Sequence, residues 1–374
     1  MYDLAIIGAG INGCSMSYEF TQAGKKVIIF DMDLIASGGS GAAGAFIAPK
    51  FSKTGELKEL LHESFLYALD YYEKNFPTLF TKTTLFHTAN DEKSSQNLKA
   101  YKETTSLKLK VPKEDFLDTL NPYAKEIESI CIDAGVVDAR STCKAMAKAA
   151  KFVKEKVENL VYDDGQWVIN EEYIAKSVLL TTGAYESVIP EKYIGVRGIW
   201  GHRISVKTST QNKYAIHQDL SISPSRDGVV AIGATHDVHF HPQKNKEPYD
   251  IQKGREELIF NAFKSINLKD IEVLEDFTGL RSGSSDYMPI VGEVVLSSES
   301  LKNNKQNLNQ KKPNYDEFTY YPNLYMLNGN GGYGFVLAPL IAKMLSEFIL
   351  KGKKIDDRLS PARFFVRWAR RLKN

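Results

Sequence analysis

The residues best able to do chemistry open the chain: Gly8-Ala9-Gly10-Ile11-Asn12-Gly13. Glycines at this spacing build a cradle for a pyrophosphate. Gly8 permits the tight turn, Gly10 lets the backbone come close to the phosphates, and Gly13 permits close packing of helix on strand. Ile11 opens the helix, whose free N–H groups and positive dipole end would face the anion. Asp31 follows 18 residues after Gly13. A carboxylate there can accept from ribose hydroxyls, and it argues against a 2′-phosphate. The set predicts a dinucleotide site and disfavours NADP. Two further glycine-rich stretches can bring backbone close to a ligand. One, residues 36–45, carries Ser37, Ser40, Gly41, Ala43 and Gly44; the other carries Gly329, Gly331, Gly332, Tyr333 and Gly334.

His202 and Arg203 lie on an expected strand facing a substrate cavity, which makes His202 a candidate substrate contact. His239-Phe240-His241 has HxH spacing but no third ligand, so no metal site is expected. Cys14, Cys131 and Cys143 are odd in number and scattered without CxxC spacing. They predict buried thiols in a reducing cytoplasm rather than disulfides or zinc.

These residues need elements to position them. Residues 3–8 form an apolar run stopped by glycine, the pattern of a parallel strand covered on both faces. A helix over 11–24 and a second buried strand over 27–30 complete a βαβ unit. Helices are expected at 56–76, 141–156, 251–266 and 337–350, and strands at 157–161, 167–169, 177–182 and 324–327. Residues 196–240 alternate as antiparallel strands do. Residues 88–128 are polar and Lys-rich, an α+β region outside the sheet core. Residues 297–317, rich in Ser, Asn, Lys and Gln, read as a mobile surface insertion. The fold class is α/β, α+β overall. A Rossmann-like domain of residues 1–80, 130–195 and 277–374 is interleaved with an antiparallel-sheet substrate domain of residues 81–129 and 196–276.

The 374 residues, 43% hydrophobic and 25% charged, suit a globular protein with two packed regions. A net charge of +2 is too small to argue for nucleic acid. Residues 351–374 carry nine Lys or Arg against two Asp, with Phe364, Phe365 and Trp368 among them. Such a tail either tracks a phosphate backbone or packs as a terminal helix with its charges solvated. No run of 18 apolar residues occurs, so no membrane span is expected. The N-terminus lacks a basic n-region, so no signal peptide is expected.

Segments from end to end of the chain are similar to the D-amino-acid-oxidase (DAO) superfamily of FAD-dependent oxidoreductases, which includes glycine and sarcosine oxidases. They are residues 3–13 with Asp31, the loop 37–44, Leu180-Thr181-Thr182-Gly183-Ala184, Gly279-Leu280-Arg281, Asp286-Tyr287-Met288-Pro289-Ile290-Val291-Gly292, and residues 328–339. The resemblance implies bound FAD, with Val157 toward the adenine and Met32 among the cofactor-binding residues. The loop of Ser37, Ser40, Gly41, Ala43 and Gly44 would follow the pyrophosphate, beside Thr182 and Gly183. The loop 329–334 would cover the flavin ring. Arg281 would hold a substrate carboxylate, a role that suits the two-pronged, charge-assisted clamp of a guanidinium; the alternative is a salt bridge to an acid at a domain interface. Arg281 and Tyr333 would border flavin and substrate alike. No cysteine lies beyond Cys143, so non-covalent FAD is expected.

Within the superfamily the chain most resembles the FAD-dependent oxidase domain of the bifunctional MnmC family of tRNA-modifying enzymes. Residues 41–50, 331–340 and 360–371 carry that resemblance. It implies a flavoprotein for tRNA modification, one that removes the N-carboxymethyl group of 5-carboxymethylaminomethyl-(2-thio)uridine at the wobble position. It also implies tRNA as a partner through residues 351–374. Those enzymes carry a methyltransferase ahead of the oxidase, so a separate methyltransferase is a candidate partner. The alternative is an amine oxidase or dehydrogenase for glycine, sarcosine or a D-amino acid. Where that family's flavin-covering loop has an arginine, this chain has Tyr333.

Overall fold

The computed structural model describes residues 1–51 and 55–372. Two eight-stranded sheets organise it. At the centre of the first, Tyr2–Ile7 pairs in parallel with Val27–Asp31 on one side and Tyr173–Leu180 on the other. These strands are apolar because both faces are covered; Leu4, Ala5, Ile6, Ile28, Ile29 and Phe30 are all fully buried. The helix Ile11–Gln22 connects the first two. Lys151–Lys154 extends one edge in parallel, and Tyr320–Asn328 with antiparallel Ile290–Val295 extends the other.

The second sheet runs in the order Glu272–Ser284, Val196–Lys207, Val229–Gly233, Ser221–Ile222, Ala215–His217, Phe80–Thr88, Ser129–Val137, Phe46–Ile47. Its pairs are antiparallel except Ala215–His217 with Phe80–Thr88. Alternation gives it two faces. One packs Ile204, Val206, Val230 and Ile232 on Leu258 and Ala262 of the helix Ile251–Ser265. The other faces the first sheet.

The expected domain boundaries need correcting. Those at 80/81, 129/130 and 276/277 each cut a strand, and all three strands belong to the second sheet. Strand alternation shows which face is buried and not which distant strand is the partner. The helix expected over 141–156 spans Ala139–Ala147 and gives way to the strand Lys151–Lys154. In the 157–161 segment the strand starts only at Leu160. Residues 297–317, expected as a mobile surface insertion, lie between the strands Ile290–Val295 and Tyr320–Asn328. They fold as Ser297–Asn303, Lys305–Asn309 and a 3-10 turn Tyr315–Glu317, and Leu308, 1% exposed, shares a core with Phe318 and Phe365.

Counting uninterrupted apolar residues also understated the last long helix. By length and composition Gly331–Lys351 could cross a membrane. In this fold it is a core helix, packed against Ile11–Gln22 and Glu56–Asn75, with Ala338, Ile341, Ala342 and Leu345 fully buried.

Candidate active site between the sheets

A cavity of about 890 Å³ runs from the C-terminal ends of the parallel strands to the face of the second sheet. At the strand ends the sequence dictates a backbone cradle. Gly8 has φ +111°, and a Cβ there would stand 2.4 Å from the Thr181 carbonyl oxygen. A Cβ on Gly10 would stand 3.1 Å from Ser40 Oγ. Asp31 accepts from the Ala9 N–H (2.8 Å) and the Asp33 N–H (3.0 Å), which fixes the glycine turn while its carboxylate borders the cavity. Ser40 Oγ accepts from the Ile11 N–H at 2.9 Å and ties the second glycine loop to the helix start. That loop lies directly on the strand Glu272–Ser284, since a Cβ on Gly39 would meet the Leu280 carbonyl oxygen at 2.5 Å.

The cavity brings most of the expected residues together. Gly8, Gly10, Ile11, Asp31 and Met32 border it, with Val157, Thr182 and Gly183 beside them. Ser37, Ser40, Ala43 and Gly44 border its middle, and Gly331, Gly332, Tyr333 and Gly334 form a further wall. Three expected glycines stand behind the wall, where chain segments touch. A Cβ on Gly13 would meet the Gly8 carbonyl oxygen at 2.1 Å, and one on Gly41 the Ala36 carbonyl oxygen at 1.8 Å. Gly329, with φ +79°, packs on Ser284 and Ile290.

His202 is a correction. Alternation along Val196–Lys207 turns Gly201 and Arg203 toward the cavity and His202 away from it. The imidazole is fully buried, its Nε2 lies 2.9 Å from Asp276 Oδ1, and it meets the Tyr249 ring edge-on. Burial pushes its pKa down despite the carboxylate. Arg203 stacks on Phe277 at 3.7 Å and donates from Nε to the Ala42 carbonyl oxygen at 3.1 Å.

Arg281 lies at the second-sheet end. It is opposite Ile199, and its neighbour on the same face, Gly279, is opposite Gly201. A Cβ on Gly201 would fall 2.2 Å from an Arg281 guanidinium nitrogen, so the guanidinium lies flat over that glycine. It donates to the Thr235 carbonyl oxygen. Burial pushes its pKa down. Among the described residues no carboxylate pairs with it, which answers against the salt-bridge alternative. Beside it, burial raises the Tyr333 phenol, and Lys50 Nζ lies 5.6 Å from the Tyr333 ring centroid. A cation thus stands at this loop although residue 333 is not arginine.

Among the groups on these walls that sequence reasoning missed are Lys50, Phe51, His87, His217 and Asn330. Asn330 follows a strand end within a glycine loop, a signal that could have been read. Lys50 closes the 41–50 segment singled out above, where its own role was not read; Phe51, His87 and His217 come from segments with no motif.

The described part of the tail, residues 351–372, packs on the chain. Ala362–Arg371 is a helix whose Phe364, Phe365 and Ala369 are buried. Arg363, 6% exposed, makes a bidentate pair with Asp286 at 3.0 and 3.1 Å and also donates to the Met288 and Pro289 carbonyls. Arg367 pairs with the same Asp286, and Arg370 donates to Leu308 and Gln310 carbonyls. Most of the charge on its described residues is therefore engaged within the chain.

FAD fits these walls. The glycines admit a pyrophosphate, the carboxylate of Asp31 faces the place of a ribose, and the cavity continues past the cradle. Asn330 Oδ1 is buried without a donor, while its Nδ2 donates to Asn12 Oδ1 at 2.7 Å. A ligand N–H or O–H would satisfy that oxygen. Cys14, Cys131 and Cys143 are buried away from the cavity. Among the described residues no three His, Cys, Asp or Glu side chains form a metal-binding group.

A parallel sheet ending on a glycine cradle, joined to a second sheet that carries an unpaired arginine, defines an oxidoreductase built around a dinucleotide cofactor. The chain belongs to the DAO family of FAD dependent oxidoreductases, which matches residues 3–348. It is 24% identical, over 96% of its length, to the tRNA 5-methylaminomethyl-2-thiouridine biosynthesis bifunctional protein MnmC of Legionella pneumophila (strain Lens). The MnmC protein of Leptospira interrogans (strain 56601) is 26% identical over 98% of this chain. The chain spans 56% and 61% of those two relatives. Glycine oxidase from Bacillus cereus superposes with a TM-score of 0.74 at 21% identity, covering 96% of this chain and 97% of that one. Iminodiacetate oxidase from Chelativorans sp. BNC1 gives 0.71 at 17%, covering 96% and 98%. These two likenesses show the fold.

Proposed function

We propose that the protein is a cytoplasmic enzyme that oxidises the N-carboxymethyl group of 5-carboxymethylaminomethyl-(2-thio)uridine at the tRNA wobble position and leaves the aminomethyl form. The observation that carries this reading is Arg281. A guanidinium sunk in the cavity wall, whose partner among the described residues is a carbonyl, is matched to an anion that arrives with the substrate. The MnmC-named relatives, aligned over nearly the whole chain, support tRNA as the bearer of that anion. FAD, held non-covalently by the cradle, supplies the two-electron acceptor. The chain's own part is positional. Arg281 fixes the carboxylate, which places the adjoining CH2 toward the flavin site. Tyr333 and the loop 329–334 close that site from water. Loss of a hydride from the CH2 and a proton from nitrogen leaves a C=N bond. Water adds to it, releasing glyoxylate and the primary amine.

The test is anaerobic bleaching of the bound flavin by hypomodified tRNA, set against glycine, sarcosine and D-alanine. Bleaching by tRNA alone is the expected result. Bleaching by a free amino acid with none by tRNA would make the protein a metabolic amine oxidase and end this reading. Flavin is expected in the supernatant after mild acid precipitation; colour retained in the pellet would contradict non-covalent binding.

A further inference from the structure

The second-sheet end of the cavity holds rings that the carboxylate clamp and the flavin cradle do not use. His87 and His217 face each other across the parallel pair of Phe80–Thr88 and Ala215–His217. Their ring centroids are 5.0 Å apart. Phe51 stacks on His87 at 4.2 Å and 11°, and Tyr101 braces Phe51 edge-on from behind at 5.2 Å. Phe51, His87 and His217 all border the cavity.

From residue types and placement we infer that Phe51, His87 and His217 form the subsite that takes the planar, uncharged ring of the substrate, a pyrimidine base. The inference rests on the tRNA reading above and names the part of the site that recognises the base. Three features point to such a ring. First, the platform carries no charge. Burial drives His87 to about 3 and His217 to about 4, so both imidazoles are neutral near pH 7. Among the described residues no carboxylate pairs with either. A neutral aromatic run favours a flat π-face over an ion.

Second, the rim is polar in the way a base edge requires. His87 Nδ1 lies 3.0 Å from the His217 carbonyl oxygen, so that nitrogen carries the hydrogen and Nε2 is left as an acceptor. His217 Nδ1 lies 2.7 Å from Ser221 Oγ. Third, the register gives the spacing. His217 is opposite Ser221, and Ser221 is opposite Gly233. Gly233 is in turn opposite Arg203, whose Cβ and Cγ would stand 2.8 Å from a Cβ there. The row therefore reads ring, ring, hydroxyl, glycine, arginine stem, and Gly201, over which Arg281 lies, is two residues before Arg203 on the same face of its strand. Three strand spacings, about 14 Å, separate His217 from the strand that carries Gly201. A base lying on the rings and its carboxymethylaminomethyl arm together extend along this row toward Arg281. A free amino acid bound at Arg281 would not reach them.

The experiment uses the FAD-loaded full chain and hypomodified tRNA. His217→Leu and, on the loop, Phe51→Leu are expected to raise KM for tRNA about tenfold to a hundredfold, the size of one lost base stack. Flavin content, melting temperature and kcat at saturating tRNA are expected to stay near wild type. His217→Phe, which keeps a ring, is expected to restore KM to within about threefold. Unchanged KM in both leucine variants, or a fall in kcat matched by loss of flavin, would overturn the subsite while leaving the tRNA reading intact. A wild-type enzyme that oxidises free amino acids and ignores tRNA would end both.

Discussion

At the scale of single residues, Arg281 decides what the cavity accepts. Its charge is held in the wall without a carboxylate, so removing it takes away an anion site and leaves the fold its glycine floor. Arg281→Met is expected to lower kcat/KM by about a hundredfold or more, since each charge-assisted hydrogen bond contributes about 1.5–3 kcal/mol. FAD content should hold. Arg281→Lys should recover little, because an ammonium cannot reproduce the fork. Gly201→Ala tests the floor itself: its Cβ would fall 2.2 Å from the guanidinium, and most of the Arg281→Met loss should return without any change of charge. Steady-state kinetics on both variants beside flavin absorbance would show it; normal kcat/KM in Gly201→Ala would mean that the guanidinium is elsewhere. The imidazoles predict a pH effect on stability. His87 at about 3 and His217 at about 4 lie below the unfolded value of about 6.5. The unfolded chain therefore binds more protons, and their neutral burial stabilises fully above pH ~6.5 and is lost as pH falls through the folded values. His87→Leu should flatten the acid limb of a melting-temperature profile between those limits. An unchanged slope would contradict the burial that causes the shift.

At the scale of elements, the terminal helix Ala362–Arg371 is clamped by one carboxylate. Burial would raise the Asp286 carboxyl, but hydrogen bonds and charge from Arg363 and Arg367 outweigh it and hold it below the ordinary range. Asp286→Asn leaves Arg363, 6% exposed, without its counter-charge. Breaking one side of a buried pair costs about 3–5 kcal/mol, so a large fall in melting temperature is expected, against almost none for the exposed Arg371→Ala. Calorimetry of the two variants settles it, and equal melting temperatures would refute the clamp. The same pair shows what the sequence could reveal. The segment around Asp286 and the tail around Arg363 each stood out, and neither revealed that the other was its partner, 77 residues away. Pattern within a segment reports which face is buried. It cannot report a distant partner, and for that reason the boundaries near 80, 130 and 277 cut strands of the second sheet. The glycine cradle was legible because turn geometry and close approach demand glycine locally. His202 was misplaced by one residue of alternation, and His87 carried no local signal at all. Both depend on which side of a strand meets the cavity.

At the scale of the whole molecule, the cavity is the seam between the two sheets, and a ligand filling it touches both. Asp31, Val157 and the Gly8–Gly10 turn belong to the first sheet's end, whereas Arg281, Gly201 and Gly233 belong to the second. FAD that binds only the folded chain therefore stabilises it by mass action, by about 2.7 kcal/mol at a hundredfold excess over Kd. Protein stripped of flavin is expected to melt several degrees lower than the holoprotein, and added FAD to restore it. FMN lacks the adenylate half and leaves the Asp31 end unfilled, so it should restore only part. Gly10→Ala, which places a Cβ 3.1 Å from Ser40 Oγ at the point of pyrophosphate approach, should weaken the FAD-induced shift while the stripped protein melts near the wild-type apoprotein. Scanning calorimetry with FAD and FMN at matched concentrations reads all three. Equal rescue by the two flavins would mean that the adenine end contributes nothing to holding the sheets together, and the cradle at Gly8, Gly10 and Asp31 would lose its assigned ligand.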